Sequence, residues 1–157
     1  MSFVMSRDES HRDVDSYFLA LAALTALRST CGRRKTGAVI TTADNYILGV
    51  GFNGVPRGFP HCVDVPCPAV HAASGTALDG CYAVHAEMNA LLQCKEPDKA
   101  AKLYVTVSPC IHCMKVIANT AIKQIICCEA YPHEIGGLLD AANCRLTILK
   151  PARIQLF

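Results

Sequence analysis

No apolar run in this sequence approaches the ~20 residues needed to cross a bilayer, although 52% of its 157 residues are hydrophobic. A membrane partner is therefore not expected. The apolar residues are spread evenly and suffice for the core of one ordinary α/β-sized domain. Charge of one sign is scarce as well. The formal net charge is +2, and the chain carries no basic stripe and no aromatic-basic platform. Nucleic acid is not an expected partner on those grounds. The first ten residues, Met1 to Ser10, have neither the apolar h-region nor the small-residue cleavage site of a secretory signal. A cytoplasmic setting is the expectation. Internal repeats and low-complexity segments are missing too.

Cysteine, by contrast, is abundant. Ten in 157 residues would suggest a disulfide framework in a small secreted scaffold, but this chain is longer than those and shows no export signal. In a reducing compartment the same count directs attention to metal ligation. Cys94, Cys127, Cys128 and Cys144 lie inside apolar segments and read as ordinary core residues.

Residues 1–12 are polar and read as a terminal fringe, with residues 13–157 forming a single domain. Helical spacing of Val14, Phe18, Leu21, Ala22 and Leu24 predicts a helix to Arg28, capped by Asp13. Gly37 to Ile40 and Tyr46 to Phe52 read as a hairpin around Asp44-Asn45. Residues 53–82 mix Gly, Pro, His and Cys without a period, which predicts a long loop. Loops of that length in compact domains are usually functional or pinned. Helices are predicted from Val84 to Gln93, Cys110 to Asn119 and Pro132 to Ala142; strands from Lys102 to Val107, Gln124 to Cys128 and Arg145 to Leu149. This order implies a mixed sheet with helices on both faces.

Two short motifs carry chemistry. His85-Ala86-Glu87 opens one predicted helix, and Pro109-Cys110-Ile111-His112-Cys113 opens another. Cysteines three apart on a first helical turn point the same way, so both thiolates reach one ion. With His85 they make three protein ligands and leave the fourth tetrahedral position for water, as a catalytic zinc requires. Helix N-termini also favour the thiolate form. Zinc lowers the pKa of bound water toward ~7, and Glu87 is placed to carry protons without ligating the metal. His112 cannot share the direction of its neighbours and reads as exposed or as a supporting neighbour. Either motif alone is uninformative. Together, on two helix starts with a strand between, they match the signature of zinc nucleobase deaminases.

Over roughly residues 14–150 the sequence resembles the deoxycytidylate (dCMP) deaminases. The matching pieces are Ala26 to Cys31, Thr36 to Ile40, Gly51 to Gly58, His85 to Ala90 and Tyr104 to Cys110, with Ala121 to Lys123 and Glu129 to Tyr131 following. The resemblance implies a cytidine-deaminase-like three-layer α/β/α fold with a mixed five-stranded sheet. It also implies hydrolytic deamination of dCMP to dUMP in pyrimidine nucleotide metabolism. Arg28 would face the 5′-phosphate, Asn53 would bind the sugar-phosphate, and Tyr131 would pack near the nucleotide. The backbone N–H of Ala86 would bind the pyrimidine carbonyl, and the carbonyl of Ser108 would accept from the exocyclic amine. Each has a plainer reading: Arg28 as a helix C-terminal cation, Asn53-Gly54 as a turn, Tyr131 as a half-buried tyrosine.

Some members of the family also carry a structural zinc, and Cys31, Cys62, Cys67 and Cys81 would supply a second, closed site, with His61 or His71 as an alternative ligand. Free thiols in the loop are the other reading. The resemblance further implies a homo-oligomer, often a hexamer, with dCTP and dTTP as effectors. Three alternatives stay beside the dCMP reading: a deaminase of 5-substituted dCMP, a tRNA adenosine deaminase, and a non-catalytic structural zinc module. A methyl group in a pocket is worth only ~1–3 kcal/mol and leaves no clear mark in sequence. The tRNA enzymes usually lack the Asn53 to Gly58 loop, and a structural module has no use for Glu87.

Overall fold

The computed structural model describes residues 13–150 of the 157-residue chain. The stretch 1–12, read as a fringe, lies outside the described residues. Helix α1 (Val14–Ala26) is capped by Asp13, whose carboxylate accepts the Ser16 N–H at 3.2 Å and satisfies one of the donors left free at a helix start. Strands β1 (Gly37–Thr41) and β2 (Ile47–Phe52) form a hairpin. Then come α2 (Ala86–Gln93), β3 (Lys102–Val107), α3 (Ile111–Ile117), β4 (Gln124–Glu129), α4 (Gly136–Ala142) and β5 (Arg145–Ile148).

The strands make one mixed sheet in the order β2-β1-β3-β4-β5, antiparallel from β2 to β3 and parallel from β3 to β5. Alternation along the strands divides the core in two. Val39, Tyr104 and Ile126 face Phe18, Leu19 and Ala22 of α1. Ala38, Ile40, Leu103, Val105, Ile125 and Cys127 face the other way, toward α2, α3 and α4. Every residue of β1 is buried, which is why Gly37 to Ile40 carry no polar side chain. The layers are α1, sheet and α2–α4, as the sequence led one to expect. Cys94, Cys127, Cys128 and Cys144 all pack against these two clusters. Among the described residues no helix is long and apolar enough to cross a membrane.

Two glycines set the height of α2. A Cβ at Gly51 would overlap the Ala86 carbonyl oxygen and the Ala90 amide nitrogen, and one at Gly49 would overlap the Ala90 carbonyl oxygen. Bare backbone on β2 therefore lets the backbone of α2 rest directly on it.

Two helix starts differ from expectation. Val84 is not helical; it pairs with Gly54 through hydrogen bonds of 2.8 and 3.2 Å, closing the base of the long loop. The last helix starts at Gly136 rather than Pro132. Its predecessors instead form a turn in which the His133 N–H donates to the Tyr131 carbonyl at 2.8 Å. A proline at N1 and a proline in a turn look alike in sequence.

Candidate metal centre and its cavity

His85 is the N-cap of α2, held extended (φ −69, ψ 154), and Cys110 is the N-cap of α3 (φ −73, ψ 169). Cys113 sits one turn into α3. The His85 side chain makes no bond to its own helix, and the Cys110 sulfur turns toward Cys113 and His85. His85 Nδ1 lies 3.4 Å from Cys110 Sγ and 3.3 Å from Cys113 Sγ. The three donor atoms fall within 4.8 Å of one another, the only such group of three or more among the described residues.

The spacing suits zinc. Zn–N of ~2.0–2.1 Å and Zn–S of ~2.3 Å at a tetrahedral angle separate N from S by roughly 3.5 Å, and two thiolates with one imidazole are a soft-to-borderline donor set that zinc prefers. Without a cation the donors share protons. A hydrogen bond from the Cys113 thiol holds Cys110 down to about 3, helped by His85. The same bond pushes Cys113 up, because its proton is the one shared. The imidazole of His85 is raised chiefly by Cys110. A divalent cation would take the place of those protons.

Glu87 stands in the first turn of α2 and is only 4% exposed. Burial pushes its carboxyl above the usual range, against the pull of His85. A buried carboxyl beside three metal donors, facing a cavity, is suited to exchanging a proton.

The cavity holds about 290 Å³, near the lower end for small-molecule sites. His85, Ala86, Glu87, Ser108 and Cys110 form its floor, with Tyr131 beside them. Ser108 is fixed at both ends: its N–H donates to the Glu129 carbonyl at 2.8 Å, and its Oγ accepts from the Tyr131 N–H at 2.7 Å. Asn53 lines one wall, yet its amide is largely committed. Its Oδ1 accepts from Ser29 Oγ at 2.7 Å and from the Thr36 N–H at 2.8 Å, and its Nδ2 donates to the Arg34 carbonyl at 2.7 Å. Asn53 is thus the knot that shapes residues 29–36.

The structure does not bring Arg28 to this cavity. After α1 ends, a tight turn directs Arg28 outward, and its guanidinium lies 6.0 Å from the Phe52 ring centroid. Arg33 and Arg34 line the cavity instead. Arg33 reaches across to the carbonyls of Ala73 and Thr76 at 2.5 and 3.3 Å. His133 meets the Gly75 carbonyl from the far side at 3.1 Å. Residues 73–76 are thereby tied down as part of the cavity roof. Sequence reading missed both arginines and this roof; the signal available was the basic run Arg33-Arg34-Lys35 just ahead of β1.

Cys62 and Cys67 are buried together with Ala69, with Cys81 packed against them. Cys62 is lowered mainly by the Cys67 backbone N–H, and Cys67 is raised by burial. The sulfur of Cys31 accepts the Arg33 N–H at 3.4 Å. These four do not close to the mutual spacing of the His85 group. His61 is exposed at the rim of a second cavity, and His71 is exposed outside both. His112 is exposed, as expected.

Residues 12–129 match the family model described as the cytidine and deoxycytidylate deaminase zinc-binding region. The chain is 40% identical over 131 residues to the deoxycytidylate deaminase of Mycobacterium phage D29, covering 80% of this chain and 98% of that one. It is 36% identical over 149 residues to the deoxycytidylate deaminase of Schizosaccharomyces pombe, covering 91% of this chain and 46% of that one. The chain thus spans about half the length of the fission-yeast relative. Among solved structures, the dCMP deaminase of cyanophage S-TIM5 in complex with dCMP and dUMP superposes with a TM-score of 0.66 at 26% identity, covering 88% of this chain and 98% of that one.

Proposed function

This chain belongs to the cytidine and deoxycytidylate deaminase zinc-binding family, and from that premise we propose that it hydrolyses dCMP to dUMP and ammonia. The observation that carries the reading is the pairing of a buried proton carrier, Glu87, with a His85-Cys110-Cys113 group spaced for one zinc. A zinc bound there supplies hydroxide at neutral pH by lowering the pKa of its water to about 7. Glu87 takes the proton released from water and delivers it to the pyrimidine ring nitrogen. With the water oxygen added to C4, Glu87 would take the proton of that new hydroxyl and pass it to the exocyclic amine, so that the C–N bond breaks, ammonia leaves and the C4–O becomes the carbonyl. The Ala86 N–H, one of the free donors at the start of α2, holds the pyrimidine carbonyl. The Ser108 carbonyl accepts from the amine. Tyr131 closes the side of the ring, and Asn53 keeps the wall beside the sugar in shape.

A second, structural zinc held by Cys31, Cys62, Cys67 and Cys81 belongs to the same proposal; the burial of Cys62 with Cys67 and the packing of Cys81 against them favour it. In this proposal the four thiolates draw together on the ion. Metal analysis of the purified protein is expected to give two zincs per chain, falling to one in Cys62→Ser; one zinc in both forms would refute the second site. Homo-oligomer formation and control by dCTP and dTTP complete the proposal. The second cavity, about 470 Å³ between Phe52, Arg57 and α2, is room for such an effector.

The test of the reaction is ammonia release from dCMP, 5-methyl-dCMP, CMP, deoxycytidine and a tRNA anticodon hairpin. Preferred turnover of dCMP supports the reading. Turnover of the hairpin alone would replace it.

A further inference from the structure

We propose that His133 is a positioning residue for the nucleotide: it bolts the cavity roof, at Gly75, to the turn that carries Tyr131. The inference rests on the deaminase reading of the cavity. Residues 73–76 form a tight turn in which the Thr76 N–H donates to the Ala73 carbonyl at 3.1 Å. Gly75 has φ +82, the conformation a type II turn needs at that place. Ser74 and Gly75 line the cavity, while Ala73, Ser74 and Thr76 are exposed to solvent, so the roof is one chain thick. Among the described residues, the backbone hydrogen bonds donated by residues 72–81 reach no further than residue 69. No strand pairing holds this roof, and its height is set by side chains.

Two side chains set it. Arg33 grips the ends of the turn through the Ala73 and Thr76 carbonyls. His133 grips the middle, with Nε2 3.1 Å from the Gly75 carbonyl oxygen. A carbonyl only accepts, so Nε2 carries the proton. The fit is close: a Cβ at Gly75 would lie 2.7 Å from His133 Nε2. Glycine alone both takes the positive φ freely and admits the imidazole. On its other side the imidazole lies against the Tyr131 ring, with centroids 5.2 Å apart and planes tilted by 35°. Pro132 stands between the two. Proline holds φ at about −65°, close to the ~−75° at the centre of an inverse γ-turn, and the His133 N–H closes that turn on the Tyr131 carbonyl at 2.8 Å. The Tyr131 N–H is itself held by Ser108 Oγ at 2.7 Å. A continuous path therefore runs from the cavity floor at Ser108, through Tyr131 and His133, to the roof. His133 holds no metal and moves no proton in the reaction. It acts on the shape of the space that receives the pyrimidine, and so on binding rather than on the chemical step.

The test compares the zinc-loaded full chain as wild type, His133→Ala, His133→Gln, Gly75→Ala and the double variant of His133→Ala with Gly75→Ala. Kinetics on dCMP, calorimetric binding of dUMP and hydrogen exchange of the roof amides are read together. His133→Ala is expected to raise KM and weaken dUMP binding by roughly 2–10-fold, the worth of one hydrogen bond. Its kcat, zinc content and melting temperature should stay near wild type, since the side chain is exposed. The amides of residues 73–76 should exchange faster. His133→Gln, whose amide donates from a similar place, should recover part of the binding. Gly75→Ala should weaken dUMP binding more in the presence of His133 than in the His133→Ala background, the non-additivity expected of a direct contact. Unchanged KM, dUMP binding and roof exchange in His133→Ala overturn the proposal, as does a fall in kcat and zinc with KM unchanged; either leaves the deaminase reading intact. A wild type that turns over no dCMP removes that reading, and this inference with it.

Discussion

Glu87→Gln is expected to lose about 10²–10⁴ in kcat on dCMP while retaining the metal. Glutamine has the shape and volume of glutamate, so the packing of this 4%-exposed side chain on the first turn of α2 survives. It cannot shuttle a proton. The His85-Cys110-Cys113 group does not include the carboxylate, so the ion remains bound. Steady-state kinetics together with metal analysis separate the cases. Lost turnover with full zinc identifies a proton carrier. Lost zinc would identify a ligand instead, and intact turnover would contradict the assignment outright.

The second large effect lies far from any reacting atom. Gly51→Ala places a methyl group where the Ala86 carbonyl oxygen and the Ala90 amide nitrogen already stand. Those are backbone atoms, so no rotamer change relieves the overlap, and α2 has to lift off β2. The expected cost is about 1–3 kcal/mol of stability, as for other overpacked interiors. The lift also carries His85 and Glu87 away from Cys110 and Cys113, which sit on a different helix. A displacement near 1 Å at a reacting centre costs roughly 10²-fold in rate. Denaturant unfolding and kcat/KM should therefore fall together. Gly137→Ala is the control, because a Cβ there meets nothing within 4 Å. A Gly51→Ala protein with wild-type stability and rate would show that the close approach of α2 to β2 is not what positions the site.

The division between what could be read in the sequence and what could not follows the range of the forces involved. The helices and strands around the metal group were legible because they rest on local rules. Apolar spacing marks α1, and buried runs mark β1, β3 and β4. Two cysteines three apart at a helix start can face only one way. The same locality explains why the zinc donors and Glu87 were visible: each is placed by its own helix start.

The roof and the basic wall were not legible. Whether Arg33 holds residues 73–76 depends on a contact 40 positions along the chain, for which no local pattern exists. The family resemblance assigns the phosphate to Arg28, whose guanidinium fork suits phosphate oxygens. The turn after α1 then sends it outward, a matter of one or two backbone angles. Asn53-Gly54 reads as a turn in sequence. In the structure the Asn53 amide is a scaffold for residues 29–36, and Gly54 closes the base of the loop against Val84. The early start assigned to α4 has a similar cause, since Pro132 serves a turn as readily as a helix.

The central claim is that the three-donor group on the N-termini of α2 and α3 holds the metal that makes dCMP deamination possible. The most direct measurement is dUMP formation by metal-free protein titrated with zinc, repeated with Cys113→Ser. Wild type is expected to be inactive without metal and to gain turnover as the catalytic site fills. Cys113→Ser is expected to remain inactive at the same zinc concentrations. Full turnover by metal-free wild type, or by Cys113→Ser with that site empty, would contradict the account.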